Sequence, residues 1–302
     1  MEVAVWEPLR DAIVGTAYVV LVCVAIEHIA SIERYRLRDR LSGSVLVLTG
    51  TVLSSALSWP LQQLWFAMEV GFLVVPLWTW VVPLGLFGQA LAILFFVMLS
   101  DFFRYWRHRA EHRWFWSIHK VHHAPTELHA ANSIGHPLQT IPDFLFVSIP
   151  LSLFEFPGAT IPLAIGFLTS FLTFYIHSPI DFHFGPMRRV VVDNRFHRIH
   201  HSLEVRHFDK NFGICFSVWD SLFGTAHWPK ASEWPKVGIE GEPPPRTIRQ
   251  FLMMPFVSGG AISSGQDQES VVSAGDKINA KPIARLDPLQ CDRSVPAEHT
   301  AG

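Results

Sequence analysis

Residues 71–112 read GFLVVPLWTWVVPLGLFGQALAILFFVMLSDFFRYWRHRAEH. The stretch opens as almost unbroken hydrocarbon and closes in a charged segment carrying His108 and His112. A bilayer-spanning helix needs about 20 mostly apolar residues, and residues 71–99 are long enough to supply one. Pro76, Pro83, Gly85 and Gly88 interrupt the run, because proline removes a helical hydrogen bond and glycine weakens a helix interior. We therefore read residues 71–99 as one full crossing plus an interfacial or partly inserted stretch.

Outward from this stretch the apolar pattern repeats. Ala12–Ile32 is apolar until Glu27 and His28, which we read as an interfacial pair, and the polar run ERYRLRDR at 33–40 ends it. Ser44–Trp65 is a second span with interspersed Ser and Thr, whose hydroxyls can bond helical carbonyls. Ile141–Phe156 and Ala159–Ile176 are separated only by Pro157 and Gly158, a pattern that predicts a membrane hairpin of two crossings over 141–177. Arg34, Arg36, Arg38 and Arg40, then Arg104, Arg107, Arg109 and Arg113, then Arg188, Arg189 and Arg195 follow successive apolar segments. Lys and Arg near span ends favour the cytoplasm, so all three clusters are expected on that side. The fold class is thus all-α: polytopic membrane helices with a cytosolic helical cap carrying a histidine-rich dimetal site. The expected organisation is N-terminal spans over 1–94, a histidine-rich unit over 95–230 that includes the 141–177 hairpin, an extension over 231–256 and a disordered tail over 257–302. No cleavage site precedes the first span, so its retention is expected.

Composition agrees with a membrane protein, with 49% hydrophobic and 17% charged residues. The net charge of −2 gives no global attraction to nucleic acid. Cys23, Cys215 and Cys291 lie far apart without a C-x-x-C pair, which argues against a disulfide framework or thiolate zinc site. Metal chemistry would have to use nitrogen. Of 16 histidines, 13 fall between residues 108 and 207.

Residues three and four apart share a helix face. His119, His122 and His123 in IHKVHH, and His197, His200 and His201 in FHRIHH, therefore project three imidazoles each in one direction, while His108 and His112 form an i, i+4 pair. Eight imidazoles exceed the needs of one ion, since a tetrahedral site takes four ligands, so two ions are expected. Imidazole suits zinc, copper, iron and nickel alike. Asp101, Asp193 and Glu111 lie on or near ligand faces, where a carboxylate could hold the outward nitrogen of a ligand ring. The aromatic residues of RYW and RWFW read first as an interfacial belt. Asp220 reads as a turn-former, and His227 and His299 as solvated.

The ordered run DFFRYWRHRAEH, WSIHKVHH, IGHPLQ, FYIHS and NRFHRIHHS, followed by KNFG and WDSLFGT, resembles the fatty acid hydroxylase and sterol desaturase superfamily of membrane di-iron oxidoreductases. The resemblance covers roughly residues 95–228. It implies that His108, His112, His119, His122, His123, His197, His200 and His201 are iron ligands, with His177 as an additional ligand and His136 in the family's H-P element. His129, His183 and His207 fall outside the pattern, and Pro179 stands where relatives often carry Asn. The implied activity is dioxygen-dependent hydroxylation or desaturation of a lipid C–H bond, with two iron ions as cofactors. Redox chemistry favours iron, because zinc has no accessible redox step. No G-x-G-x-x-G element follows an expected strand, so electrons are expected from an external NAD(P)H-linked donor such as cytochrome b5 or ferredoxin. Arg188, Arg189, Arg195, Arg198 and Lys210 are first topology determinants and second a docking surface for that acidic carrier. A membrane zinc hydrolase and a metal or haem transport protein are the alternatives. Because ligand imidazoles must be neutral, metal loading is expected to weaken as pH falls through about 6.5.

Overall fold

The computed structural model describes residues 3–69, 73–155, 160–230 and 232–257. The tail expected over 257–302 lies, beyond Val257, outside the described residues. Among those residues the chain is helical, with isolated bridges and no strand. The three long helices are α1 (Val3–Ala30), α2 (Leu37–Ala67) and α4 (Gly85–Trp114), of 28, 31 and 30 residues. At about 1.5 Å per residue each exceeds the roughly 30 Å hydrocarbon core. Many of their apolar side chains stay uncovered by protein, Leu21 at 68%, Leu86 at 84% and Phe87 at 74% exposed. Lipid is the solvent that makes such a surface stable.

The broken apolar run divides where its prolines and glycines imply. A short helix α3 (Leu77–Val81) leads into a 3-10 turn over Val82–Leu84 containing Pro83. Gly85 then takes φ +68°, a left-handed conformation that a residue with a Cβ adopts only under strain. From there α4 runs without interruption out of the apolar region to His108 and His112. One rigid element therefore sets the depth of the first histidine pair.

Hydroxyls of Ser44, Thr49 and Thr51 bond the carbonyls of Arg40, Val45 and Val47 at 2.9, 2.7 and 3.0 Å, which lets polar residues sit inside α2. On the same helix Gly43 and Gly50 permit close approach to the segment that follows α5 (Trp116–His123). A Cβ on Gly43 would collide with the Ala131 carbonyl, and one on Gly50 would lie 2.9 Å from the Gly135 carbonyl.

The expected hairpin is described as two arms, on either side of residues 156–159, which lie outside the described residues. Its first arm comprises α6 (Thr140–Asp143), a π turn (Phe144–Ser148) and α7 (Ile149–Ser152). Pro150 cannot donate to the carbonyl one turn back, and the π turn lies where that bond is missing. The arm is about 20 Å long, after which Val75 donates to the Leu153 carbonyl and accepts from the Glu155 amide. The second arm, α8 (Thr160–Ile176), has 17 residues and is about 25 Å long. Neither arm is as long as α1, α2 or α4.

The cap is completed by α9 (Asn194–His200), α10 (Val218–Leu222) and α11 (Ile248–Met253). A buried cluster of Val20, Cys23, Leu46, Val121, Phe174 and Phe251 joins α1, α2, α5, α8 and α11 beneath it. Glu27 belongs to this joint and not to an interface. It is fully buried, pairs with Arg40 of α2, and accepts from the Ala130 amide and the Ser178 hydroxyl. His28 beside it is exposed.

Candidate metal centre

Nine histidines converge into two groups. His108, His112, His119, His123 and His200 form one, and His122, His177, His197 and His201 the other, with the ligating nitrogens of each group within 4.8 Å of one another. Each H-x-x-H-H box is therefore divided, whereas the spacing alone suggested three rings on one cation. On a helix the i+4 ring lies about 40° to one side of residue i and the i+3 ring about 60° to the other. Between two sites the adjacent pair must part. His119 and His123 serve the first group and His122 the second, while His197 and His201 serve the second and His200 the first.

The donor atoms fit a metal. Within the first group the Nε2 atoms of His108 and His119, His119 and His123, and His112 and His123 lie 3.1, 3.1 and 3.2 Å apart. In the second, His177 Nε2 lies 3.3, 3.2 and 3.1 Å from those of His122, His201 and His197. Ligands at about 2.0–2.1 Å around a tetrahedral ion stand roughly 3.3–3.4 Å apart, close to these separations.

The other ring nitrogens fix the tautomer. Nδ1 of His108 donates to the Phe212 carbonyl at 2.8 Å, that of His122 to Ile134 at 3.0 Å, that of His177 to Thr173 at 2.6 Å and that of His200 to Lys210 at 2.8 Å. A carbonyl only accepts, so each of these rings turns a bare Nε2 lone pair inward. His200 Nε2 is buried with no hydrogen-bond partner. Facing lone pairs at such separations repel unless a cation or a proton lies between them.

Burial first, and neighbouring imidazoles second, hold His119, His123, His197 and His201 well below the ordinary histidine range. For His200 the same two causes outweigh its bond to the Lys210 carbonyl. Burial lowers His122 to about 3 and His177 to about 4. All are neutral near pH 7, the form that ligates.

The carboxylates stand in varied positions. Glu111 Oε2 lies 3.2 Å from His119 Nδ1, beside the Gln139 amide, and not on the adjacent His112. His112 Nδ1 instead meets Asp209, at 3.2 Å, a partner that its distance in sequence concealed. Asp101 accepts from the Cys215 and Phe216 amides and Trp219 Nε1, bracing the segment whose Phe212 carbonyl holds His108. Asp193 caps α9 through the Phe196 amide and binds Arg188 with both oxygens. Neither Asp101 nor Asp193 touches a ring of the two histidine groups; each steadies backbone one step behind them. Asp220 holds the turn at Phe212 and Gly213 as expected.

His136 stands outside both groups, its Nδ1 on the Leu138 amide and its Nε2 3.3 Å from the Leu252 carbonyl. Tyr105, expected in an aromatic belt, is fully buried and bonded to Thr225. Of the expected docking cations, Arg188 is engaged by Asp193 and Arg198 by Glu33, while Arg189 is exposed.

A cavity of about 400 Å³ opens onto both groups, touching His108, His119, His122, His177 and His197. Its remaining wall includes Ser54 and Ser58 of α2, Arg104 and Arg107 of α4, and Asp143 of α6. Its wall is thus shared between a candidate span, α2, and the histidine groups, and combines polar residues with Ile176 and Ile214.

Residues 93–225 match the fatty acid hydroxylase family. The chain is 31% identical to an ornithine lipid hydroxylase of Rhizobium tropici, over 57% of this chain and 52% of that one. It is 30% identical to the lathosterol oxidase of Homo sapiens, over 50% of each, and 30% identical to the human alkylglycerol monooxygenase, over 41% of this chain and 28% of the other. It thus spans about half or less of these relatives' lengths. No solved structure matches it.

Proposed function

We propose, from the match of residues 93–225 to the fatty acid hydroxylase family, that the chain is a member of that family and a membrane oxidoreductase that hydroxylates or desaturates a lipid with dioxygen and two iron ions. The observation that carries this reading is the pair of histidine groups with inward Nε2 lone pairs. The first group would hold one ion and the second the other, and when bound they would supply the one-electron and oxygen chemistry that side chains lack. Two sites of four or more imidazoles suit redox chemistry at a C–H bond, and relatives named as a hydroxylase, a monooxygenase and an oxidase support the same class.

The residues of the chain bind and orient. Neutral imidazoles locked by carbonyl bonds hold their geometry without reorganisation, the preorganised arrangement that makes an enzyme site effective. A lipid would enter from the bilayer with its tail along α2 and the hairpin. Ser54, Ser58, Arg104, Arg107 and Asp143 would hold its polar end, so the carbon presented to the ions lies close to a headgroup or ring hydroxyl. The polar cavity wall supports that preference. Electrons would come from an external NAD(P)H-linked donor such as cytochrome b5 or ferredoxin, docking on cationic surface that includes Arg189. The arginine clusters support a cytoplasmic position for the site.

Lipid profiling of a host with and without the gene tests the reading. A lipid heavier by one oxygen, or lighter by two hydrogens, that disappears with the His200→Ala chain is expected. An unchanged lipid profile, or turnover retained after zinc replaces iron, would overturn it, the latter in favour of a hydrolase.

A further inference from the structure

A third cluster lies outside the nine histidines. His207, His227 and Glu233 offer one ligating atom each, all within 4.8 Å of one another. His227, expected to be solvated, keeps only 25% of its side chain exposed; the His207 ring is fully buried and the Glu233 side chain 7% exposed. His207 Nε2 stands 3.1 Å, and His227 Nε2 3.3 Å, from Glu233 Oε1. Those separations approach the roughly 3.3–3.4 Å edge of a tetrahedral site with bonds of about 2.0–2.1 Å.

The surroundings are built to hold these atoms. Ser202 Oγ lies 2.8 Å from His207 Nδ1 and fixes the ring plane. Asn211, buried and left-handed at φ +59°, clamps the backbone of His227 from both sides, accepting its N–H at 2.7 Å and donating to its carbonyl at 2.9 Å. The Lys230 amide donates to Glu233 Oε2 at 3.0 Å. Burial works against the charge on Glu233, but that amide and His227 outweigh it and hold the carboxyl down at about 2, so it is ionised at any physiological pH. Arg206 reaches the same carboxylate at 2.8 Å, yet it is half exposed and has Glu204 as a second partner at 2.7 Å. It can therefore leave Glu233 to a stronger cation.

We propose that His207, His227 and Glu233 bind a zinc-like divalent cation, with water in the fourth position, as a structural clasp between the turn behind the third histidine box and the loop after WDSLFGT. Two imidazoles and one carboxylate suit zinc in charge and geometry. The clasp would reinforce the pairing of Leu203 with Lys236 and of His201 with Gly238, and so hold the backbone of His201 from the solvent side. It does not depend on the nature of the metal in the other two groups.

The test is total metal, iron plus zinc, in the full chain purified in detergent, equilibrated with zinc and then desalted. Glu233→Gln and His227→Ala are each expected to lose about one equivalent relative to the parent while retaining its iron. Equal totals in parent and variants would overturn the proposal and leave a hydrogen-bonded network only. Should either variant misfold, Arg206→Ala keeps all three ligands and removes the competing cation, so zinc binding about two- to fivefold tighter is expected. Unchanged or weaker zinc binding by that variant would overturn it.

Discussion

The unit of the centre is the single imidazole, and its behaviour follows from what its outer nitrogen touches. Because each H-x-x-H-H box is divided, His122→Ala and His200→Ala are not equivalent. Each is expected to deplete mainly its own group, with about one metal equivalent lost, activity abolished and membrane insertion intact; metal analysis of the purified variants checks this. Asp209→Ala removes the partner of His112 and is expected to weaken metal binding at the first group by about 10-fold or more, as read by competition with a chelator. The periodicity of the boxes was legible because it is local. The carbonyls of Ile134, Lys210 and Phe212 that aim the rings were not, because every residue has a carbonyl and only tertiary structure selects one.

The pH response belongs to the same scale. A metal-free histidine at about 3 or 4 when folded and about 6.5 when unfolded binds more protons unfolded at intermediate pH. Its neutral burial therefore costs nothing above about pH 6.5, and stability is lost progressively as pH falls from there towards 4 and 3. The metal-free chain is expected to show a falling melting temperature below about pH 6.5, measured in detergent by thermal unfolding. This revises the expectation drawn from an unperturbed imidazole: weaker loading near that pH would reflect unfolding and not titration inside the folded site.

Among the elements, the joint of α1 and α2 with the cap is the most sensitive. Glu27→Gln leaves Arg40 buried without its counter-charge and is expected to cost about 3–5 kcal/mol. Gly43→Leu drives a side chain into the Ala131 carbonyl and is expected to cost about 1–3 kcal/mol. Denaturant or thermal unfolding of each variant checks both values. Glu27 was misread as interfacial because a lone acid at the end of an apolar run looks the same whether water or an arginine awaits it. The break at Pro83 and Gly85 was legible from residue type. The irregularity of the hairpin's first arm was not, since apolar length bounds a helix without stating how much of it is regular. Pro150 lay in view, but its effect depended on the π turn before it.

At the scale of the whole molecule, three long apolar helices among the described residues carry a cap in which two groups of histidines face one chamber that α2 also lines. The cytoplasmic placement of that cap is open to test with Lys236→Cys, an exposed position. Labelling by an impermeant thiol reagent is expected only when the cytoplasmic face is opened; labelling in intact cells would reverse the orientation. The centre itself is tested most directly by counting iron in active, purified chain while following product formation from its lipid. About two irons per chain are expected, with product falling in step as either group is emptied; full activity in a chain without iron would contradict the account.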